Sequence, residues 1–497
     1  MATATARASQ LSALSIPPSS SSSAPRQRVK PGLRSFSASA HKRSFASADY
    51  DPYIAYLSRQ VYAAFFSPES RFYWLIAAGL GVLEVAVLAV VIRRIGYTEI
   101  DFSTYLVQAR LFYKGTREYS LITGPSGPCV YPALHLYLHT PLDFLTAQGS
   151  NLVPAQWLYA ALYLATQALV FDLYRLARIP PIVLPLLIIS KRLHSLYPLR
   201  MFNDCWTMFF LYAAFNAVLR RRWRAGSMLF SAALGIKMNA LLFAPAFAVV
   251  YLRSLGLARA FQQGLLVLLI QVLISLPFTL HHPSAYFHGA FDFNRAFLYK
   301  WTVNLRLLPE ATFLSPRTAR LLLAGHGLGV AAWMTRWLYV PGAATVLEKV
   351  KGLLKGGEEL SARFILLSLF TANLLGMTFS RSLHYQFYAW YAHQLPMLLY
   401  FVRLHWGIRL AIWYGIETAW LTFPSTSYSS SCLILAHATL LIGLWRTPTD
   451  PPVIPLAEGE PLLSPPLVSP PLNSPTSPIL GARSPRLGRN NSYSKFR

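Results

Sequence analysis

Residues 226–252 read GSMLFSAALGIKMNALLFAPAFAVVYL. Taken whole, the run is longer than the ~20 apolar residues that cross a bilayer core about 30 Å thick, and Lys237 and Asn239 interrupt its middle. A lysine at that depth is expensive unless it is paired. The run therefore reads as two short crossings that meet at a polar turn. Further apolar runs lie at 72–92, 156–174, 261–280, 318–340, 362–379 and 406–422, with shorter ones near 181–190, 204–219, 386–402 and 431–445. Together they predict about 12 crossings and an all-α polytopic membrane protein, because helices bond their own backbone where water is absent.

Composition supports the lipid bilayer as the solvent. Of 497 residues, 54% are hydrophobic and 13% charged, against roughly 25% charged in a soluble chain. A water-soluble enzyme is excluded. A net charge of +26 usually points to nucleic acid. Here Lys and Arg concentrate in tails and short connectors, as topology-setting charge does, so no nucleic-acid partner is expected. Cys129, Cys205 and Cys432 match neither a metal-ligand spacing nor a disulfide framework.

Three regions follow. Residues 1–70 are basic and Ser-rich and are expected to be a disordered cytosolic tail. An organelle transit peptide is the second reading of this start, and no secretory signal precedes the first span. Residues 71–446 form the membrane body, and 447–497 form a Pro/Ser-rich cytosolic tail. Arg220-Arg221-Arg222-Trp223-Arg224 sets the cytosolic side. Counting spans from it puts Arg175, Arg178, Arg253, Arg259, the 346–360 segment and both termini on that side, with Arg93-Arg94 as the exception. The opposite face collects 95–153 (a first loop from 93), 191–203, the Lys237–Asn239 turn, 281–316 and 380–386. These stretches carry most of the unusual polar groups. A transporter would gather such groups at mid-membrane and show paired repeats, and no repeat is visible.

Glu99 and Asp101, one residue apart beside the first span, suit a general base with a tuned pKa. On spacing alone they suit better a helix start capped by Thr98, with the acids meeting the dipole, and the two readings are compatible. Gly115, Gly124, Gly127, Pro125, Pro128 and Pro132 describe a stiff turning loop over 115–132, which is no phosphate loop because no Lys-Ser/Thr follows. Residues 133–146, with His135, His139 and Asp143, suit a short interfacial helix; the His pair alone is a weak metal signal. Lys191, Arg192, His194, Arg200, Arg295, Lys300, Arg306, Arg381 and His384 are cations or imidazoles on that same face. Each can be ordinary snorkelling or a phosphate donor. Glu84 and Lys237 stand within apolar runs, where ionisable groups are functional suspects by default.

The blocks GYTEIDFSTYLVQ (96–108), GTREYSLITGPSGPCVYPALHLY (115–137), SKRLHSLYPLRMFNDCWTM (190–208), GIKMNALLFAP (235–245), AFDFNRAFLYKWTVNLR (290–306) and FSRSLHYQFYAWYAHQLP (379–396) resemble, in order, the dolichyl-phosphate-mannose-dependent α-1,3-mannosyltransferases of glycosyltransferase family 58. The likeness runs from about 93 to 400 and leaves out both tails. It implies a GT-C fold in the endoplasmic reticulum membrane, with the active site lumenal. Dolichyl phosphate mannose is the implied donor and Man5GlcNAc2-PP-dolichol the acceptor, for the first lumenal mannose of the N-glycan precursor. Inversion then needs one base, for which the resemblance nominates Asp101, with Glu99 as alternative or orienting partner. Arg381, His384, Lys300 and Arg306 are implied to hold the donor phosphate. Tyr97, Gln108, Tyr131, Lys237, Trp301, Asn304, Tyr385 and Gln386 are implied along the substrate groove. No cofactor and no metal are expected. Phe102 and Cys129 stand where the family pattern has Trp and Leu. The glycolipid-anchor mannosyltransferases share the acid-x-acid loop but not the WTVNLR and HYQFYAWY blocks; a lipid or sugar-phosphate transporter fits composition and charge alone. Ser494-Lys495-Phe496-Arg497 is a weak basic retrieval signal, and Asn490 is a glycosylation acceptor on the wrong side to be used.

Overall fold

The computed structural model describes residues 52–292, 298–339 and 345–448. Most of both tails, Arg295, Asn490 and Ser494–Arg497 lie outside the described residues. Among the described residues eighteen α-helices follow one another: α1 Pro52–Phe66, α2 Tyr73–Arg94, α3 Phe102–Tyr113, α4 Leu134–Leu145, α5 Val153–Leu176, α6 Lys191–His194, α7 Asn203–Leu219, α8 Trp223–Ile236, α9 Ala244–Leu255, α10 Leu257–Thr279, α11 Pro283–Ala290, α12 Glu310–Leu314, α13 Pro316–Trp337, α14 Val346–Lys355, α15 Ala362–Thr378, α16 Leu395–Phe401, α17 Trp406–Leu421 and α18 Ser427–Arg446. Within the stretch expected to be unstructured, α1 is a helix: Pro52 suits a first turn, and Ile54, Leu57, Val61 and Phe65 recur at helical spacing.

Among the described residues, four helical segments are long and apolar enough to cross a membrane: α2, Met238–Leu255, α10 and α18. The pair Pro181–Leu187 and Lys191–Leu199, bent by 48°, adds a fifth if counted as one span. The chain is thus an all-α membrane protein. At 1.5 Å per residue, α2 is about 33 Å long, enough for the hydrocarbon core. The run 226–252 breaks where its sequence demands: α8 ends at Ile236, Lys237 is extended, and a 3-10 turn over Met238–Phe243 leads into α9.

Side-chain and loop bonds sort the segment ends into two groups. At one end, Thr98 N–H donates to Leu199 O (3.0 Å), Gln156 to Pro198 O (3.1 Å), Val303 N–H to Leu383 O (2.7 Å) and Tyr385 to Thr422 O (2.6 Å). At the other, Tyr73 donates to Phe171 O (2.7 Å), Arg220 pairs with Asp172, Arg253 donates to Trp337 O (2.8 Å) and Glu358 Oε2 (2.7 Å), and Arg403 N–H to Thr447 Oγ1 (3.0 Å). The chain therefore alternates between ends through α2, α5, 181–199, α7, α8, 238–255, α10, α13, α15, 385–401, α17 and α18. The stretches 95–153, 191–203, 237–239, 298–316 and 380–386 meet at one end, and Arg220, Arg221 and Arg253 at the other.

Local rules set the helix limits. Ser315 caps α13 through Thr318 N–H (3.2 Å), with Pro316 in the first turn, and Ser361 caps α15 through Phe364 N–H (3.0 Å). Gly256, at φ +79, lets α9 turn directly into α10, while Gly357 N–H donates to Ser254 O (3.0 Å). A Cβ at Gly256 would lie 2.5 Å from Lys355 O and 2.6 Å from Leu354 O. Gly256→Ala is expected to cost about 1–3 kcal/mol, read as a lower melting temperature of the detergent-solubilised protein. Gly264→Ala, with open space around it, should leave melting unchanged or higher.

Candidate active site

The loop after α2 is pinned by the Thr98 bond to Leu199 and then starts α3. Glu99, not Thr98, serves that start: its carboxylate accepts from Ser103 N–H (3.2 Å) and from the Tyr97 hydroxyl. Asp101 occupies the N-cap position, half-buried, and its carboxylate does not cap the helix. The two acids therefore differ in use: Glu99 holds backbone, and Asp101 lies within electrostatic reach of the Tyr97 and Tyr105 hydroxyls. Burial, the Glu99 bond and the charges of Glu99 and Asp101 push the Tyr97 hydroxyl far above its ordinary pKa, so it stays a proton donor.

Beneath Asp101 lies a buried polar floor. Tyr105, one turn into α3, is 1% exposed and sits within electrostatic reach of Tyr131, Asp101 and Asp204. Asp204, in the first turn of α7, accepts through Oδ1 from Lys237 Nζ (2.7 Å) and Trp390 Nε1 (2.5 Å). Its Oδ2 is buried with no partner among the described residues. Lys237 Nζ also faces the rings of Tyr131 (5.5 Å) and Phe387 (5.3 Å), a favourable setting for a desolvated ammonium. His135 and His139 pack edge-on against Tyr105 and 4.3 Å from each other. Burial pulls His139 down to about 4 and His135 well below its ordinary value, so both are neutral at pH 7. Among the described residues no three His, Cys, Asp or Glu side chains converge as metal ligands.

The loop 115–132 is stapled over α3. A two-residue antiparallel ladder, Thr123–Gly124 (β1) with Gly127–Pro128 (β2), closes it. Ser126 donates to Thr104 Oγ1 from both N–H and Oγ (2.8 Å each), and Gln108 Nε2 donates to Gly127 O (3.1 Å). Gly124 permits this close approach, since a Cβ there would meet Thr104 Cγ2 at 2.7 Å and Thr104 Cα at 3.0 Å. Arg110 and Tyr113 both bond Asp143 (2.6 and 2.9 Å), fastening α4 to α3. Arg110 is held above its usual value, first by that bond.

A second group surrounds Tyr385. Arg192 lies 4.8 Å over its ring, and Arg306 and Arg200 are within electrostatic reach of Tyr385 and Arg192 respectively. Arg306 also sits 4.2 Å over Tyr299 and donates to Ser425 O (3.3 Å) and Tyr299 O (3.0 Å). Asn304 spends its amide on scaffold, donating to Ser380 O (2.7 Å) and accepting from Leu383 N–H (2.8 Å) and Thr302 Oγ1 (2.8 Å). That clasp fixes the segment carrying Arg381, His384 and Gln386. Arg381 itself donates to Leu314 O (3.1 Å). Lys300 stands over Trp301, which stacks on Phe423, toward the surface. The 3-10 turn Tyr385–Trp390 links the groups, with Tyr385 at the cations and Trp390 on Asp204.

The structure thus joins Asp101, Tyr131 and Lys237 through Tyr105, and Tyr385 with Arg306; Lys300 and Arg381 stand apart from the buried floor. Sequence reasoning missed Asp204 as the partner of Lys237, although an acid opening an apolar run was the available clue. Arg192 was visible among the cations but not singled out.

The family model described as ALG3 protein matches residues 78–430. The chain belongs to this family. It is 39% identical over 393 residues to the human protein named Dol-P-Man:Man(5)GlcNAc(2)-PP-Dol alpha-1,3-mannosyltransferase, covering 76% of this chain and 88% of that one. A Cryptococcus neoformans protein of that name is 42% identical over 403 residues (76% and 90%), and a Dictyostelium discoideum protein carrying the name as probable is 37% identical over 409 residues (76% and 92%). No solved structure matches. The matched span takes in every residue of both polar groups.

Removing one member of a buried ion pair strands the other. Lys237→Met and Asp204→Asn are each expected to cost about 3–5 kcal/mol. The double substitution should cost less than the sum of the two, measured by unfolding in detergent.

Proposed function

We propose that the chain moves mannose from dolichyl phosphate mannose to Man5GlcNAc2-PP-dolichol, forming an α-1,3 bond at the lumenal face of the endoplasmic reticulum membrane. The family's relatives carry this activity in their names, and the chain spans most of their length. The observation that supports a site here is the convergence, at one end of the helical body, of a half-buried acid, a buried ion pair and an arginine-tyrosine cluster. We read the twelve alternating segments as the crossings of a GT-C fold, with both termini cytosolic.

In this reading Asp101 is the base. As the acceptor 3-hydroxyl oxygen bonds the mannose anomeric carbon, Asp101 takes its proton. The bond from that carbon to the phosphate oxygen breaks on the opposite side, and dolichyl phosphate leaves with the electron pair. One displacement turns a β-linked donor into an α-linked product. Arg192, Arg306, Arg381 and His384 are the groups we assign to the charge developing on the phosphate. Glu99 and Tyr97 keep the loop, and with it Asp101, in register. No step is assigned to a metal.

The test is transfer of labelled mannose by purified protein to a synthetic acceptor. Asp101→Asn should lower turnover about 10²–10⁴-fold, and Glu99→Gln less. Arg192→Gln should raise KM for the donor, and chelator should leave turnover unchanged. Absence of any glycosidic product would overturn the assignment in favour of transport; full turnover by Asp101→Asn would overturn the base alone.

A further inference from the structure

At the end of the body away from the candidate site, a cleft of about 640 Å³ is lined by Arg221, Arg222, Trp223, Arg224, Arg259 and Gln262, among others. Arg221 pairs with Glu359 (2.8 Å). Arg222, Arg224 and Arg259 have no carboxylate at ion-pair distance among the described residues. Topology-setting charge needs only numbers of cations on one side; it does not need them gathered around a cavity. Guanidinium groups with spare paired N–H donors are the side chains best matched to phosphate oxygens.

The backbone contributes to the same place. After α7, Arg221 N–H donates to Val218 O (2.9 Å) and Arg222 N–H to Ala217 O (2.8 Å), the double bond of a Schellman turn. Arg221 takes the left-handed position, φ +58, that glycine would fill most easily. No side chain caps the start of α8 that follows.

What the cleft opens onto decides the ligand. Arg259 and Gln262 lie in the first turns of α10, one of the helices apolar and long enough to cross the membrane. From Gln262 the helix presents Leu265, Leu269 and Leu273 along one side, 53%, 50% and 54% exposed. An exposed apolar stripe that begins at a basic cleft has the shape of a lipid: charge at one end, hydrocarbon down the span.

We propose that this cleft binds the phosphate headgroup of an anionic phospholipid whose acyl chain runs along the exposed face of α10. Arg222, Arg224 and Arg259 hold the phosphate, and Trp223, packed edge-on against Tyr251 (5.8 Å), walls the headgroup. The site is independent of Asp101 and of the transfer reaction.

The experiment takes the full chain from nanodiscs containing equal phosphatidylcholine and phosphatidic acid and counts retained lipid by native mass spectrometry. Wild type should retain phosphatidic acid roughly tenfold over phosphatidylcholine. Arg222→Gln/Arg224→Gln/Arg259→Gln should bring the ratio near one. Arg222→Lys/Arg224→Lys/Arg259→Lys keeps the charge that guides insertion but loses the paired donors, and should lower the ratio about threefold. Mannosyl transfer by each variant verifies folding. A ratio unchanged in both variants would overturn the site, and complete displacement of the lipid by millimolar inorganic phosphate would overturn the lipid as its occupant.

Discussion

A charged lysine inside an apolar run must find an acid, and the position of that acid fixes much of this molecule. Lys237 finds Asp204, and the bond forces the break between α8 and the 238–243 turn to lie beside the start of α7. Trp390 donates to the same carboxylate oxygen, which brings in the segment after α15; Tyr131 and Phe387 close over the ammonium. Four stretches far apart in the chain are thereby held around one charge pair. The energetic reason is asymmetry. Such a pair contributes little net stability against a well-packed apolar replacement, but losing one partner leaves a buried charge with nothing to neutralise it. The arrangement therefore favours one register of α7 against α8 over its alternatives.

Features legible in the sequence were those with local causes. The break at Lys237, the helix starting after the acidic pair and the grouping of segment ends all follow from hydropathy, capping chemistry and alternation along the chain. Pairings across long separations were not legible. Glu84 was conspicuous in its apolar run, yet nothing local names His194, 110 positions away, as its partner at 2.7 Å. The capping residue of α3 was misassigned for a related reason. Thr98 has the right chemistry, but the helix begins at Phe102, which puts Asp101 at the N-cap and Thr98 three residues before it, and Glu99 reaches Ser103 N–H instead. Nor does anything local announce that the Asn304 amide clasps backbone groups of 380–383.

Glu99 and Asp101 also show how one short motif divides labour. Glu99 is spent on the Ser103 N–H and the Tyr97 hydroxyl. Asp101, at the N-cap position without capping the helix, is the acid that the proposed reaction uses as base. Tyr105 lies between that loop and the floor: burial first, then Tyr131, Asp101 and Asp204, push its hydroxyl well above its ordinary pKa. In the proposed reaction, a hydroxyl kept protonated in this way does not compete with Asp101 for the acceptor's proton.

The cation cluster sets a further constraint on the proposed reaction. Donor phosphate is a diester with one negative charge; the product, dolichyl phosphate, is a monoester approaching two. Holding the phosphate as proposed, Arg192 and Arg306, in contact with the rings of Tyr385 and Tyr299, attract the product more strongly than the donor. Charge grows along the reaction coordinate, so the same cations favour the transition state over the ground state, which is what catalysis requires. The consequence is that release of dolichyl phosphate is opposed by the interaction that lowers the chemical barrier. Placing part of the positive charge at the half-exposed Arg381, bonded to a backbone carbonyl rather than sealed in the floor, moderates that conflict, because a solvated cation holds a phosphate less tightly than a buried one.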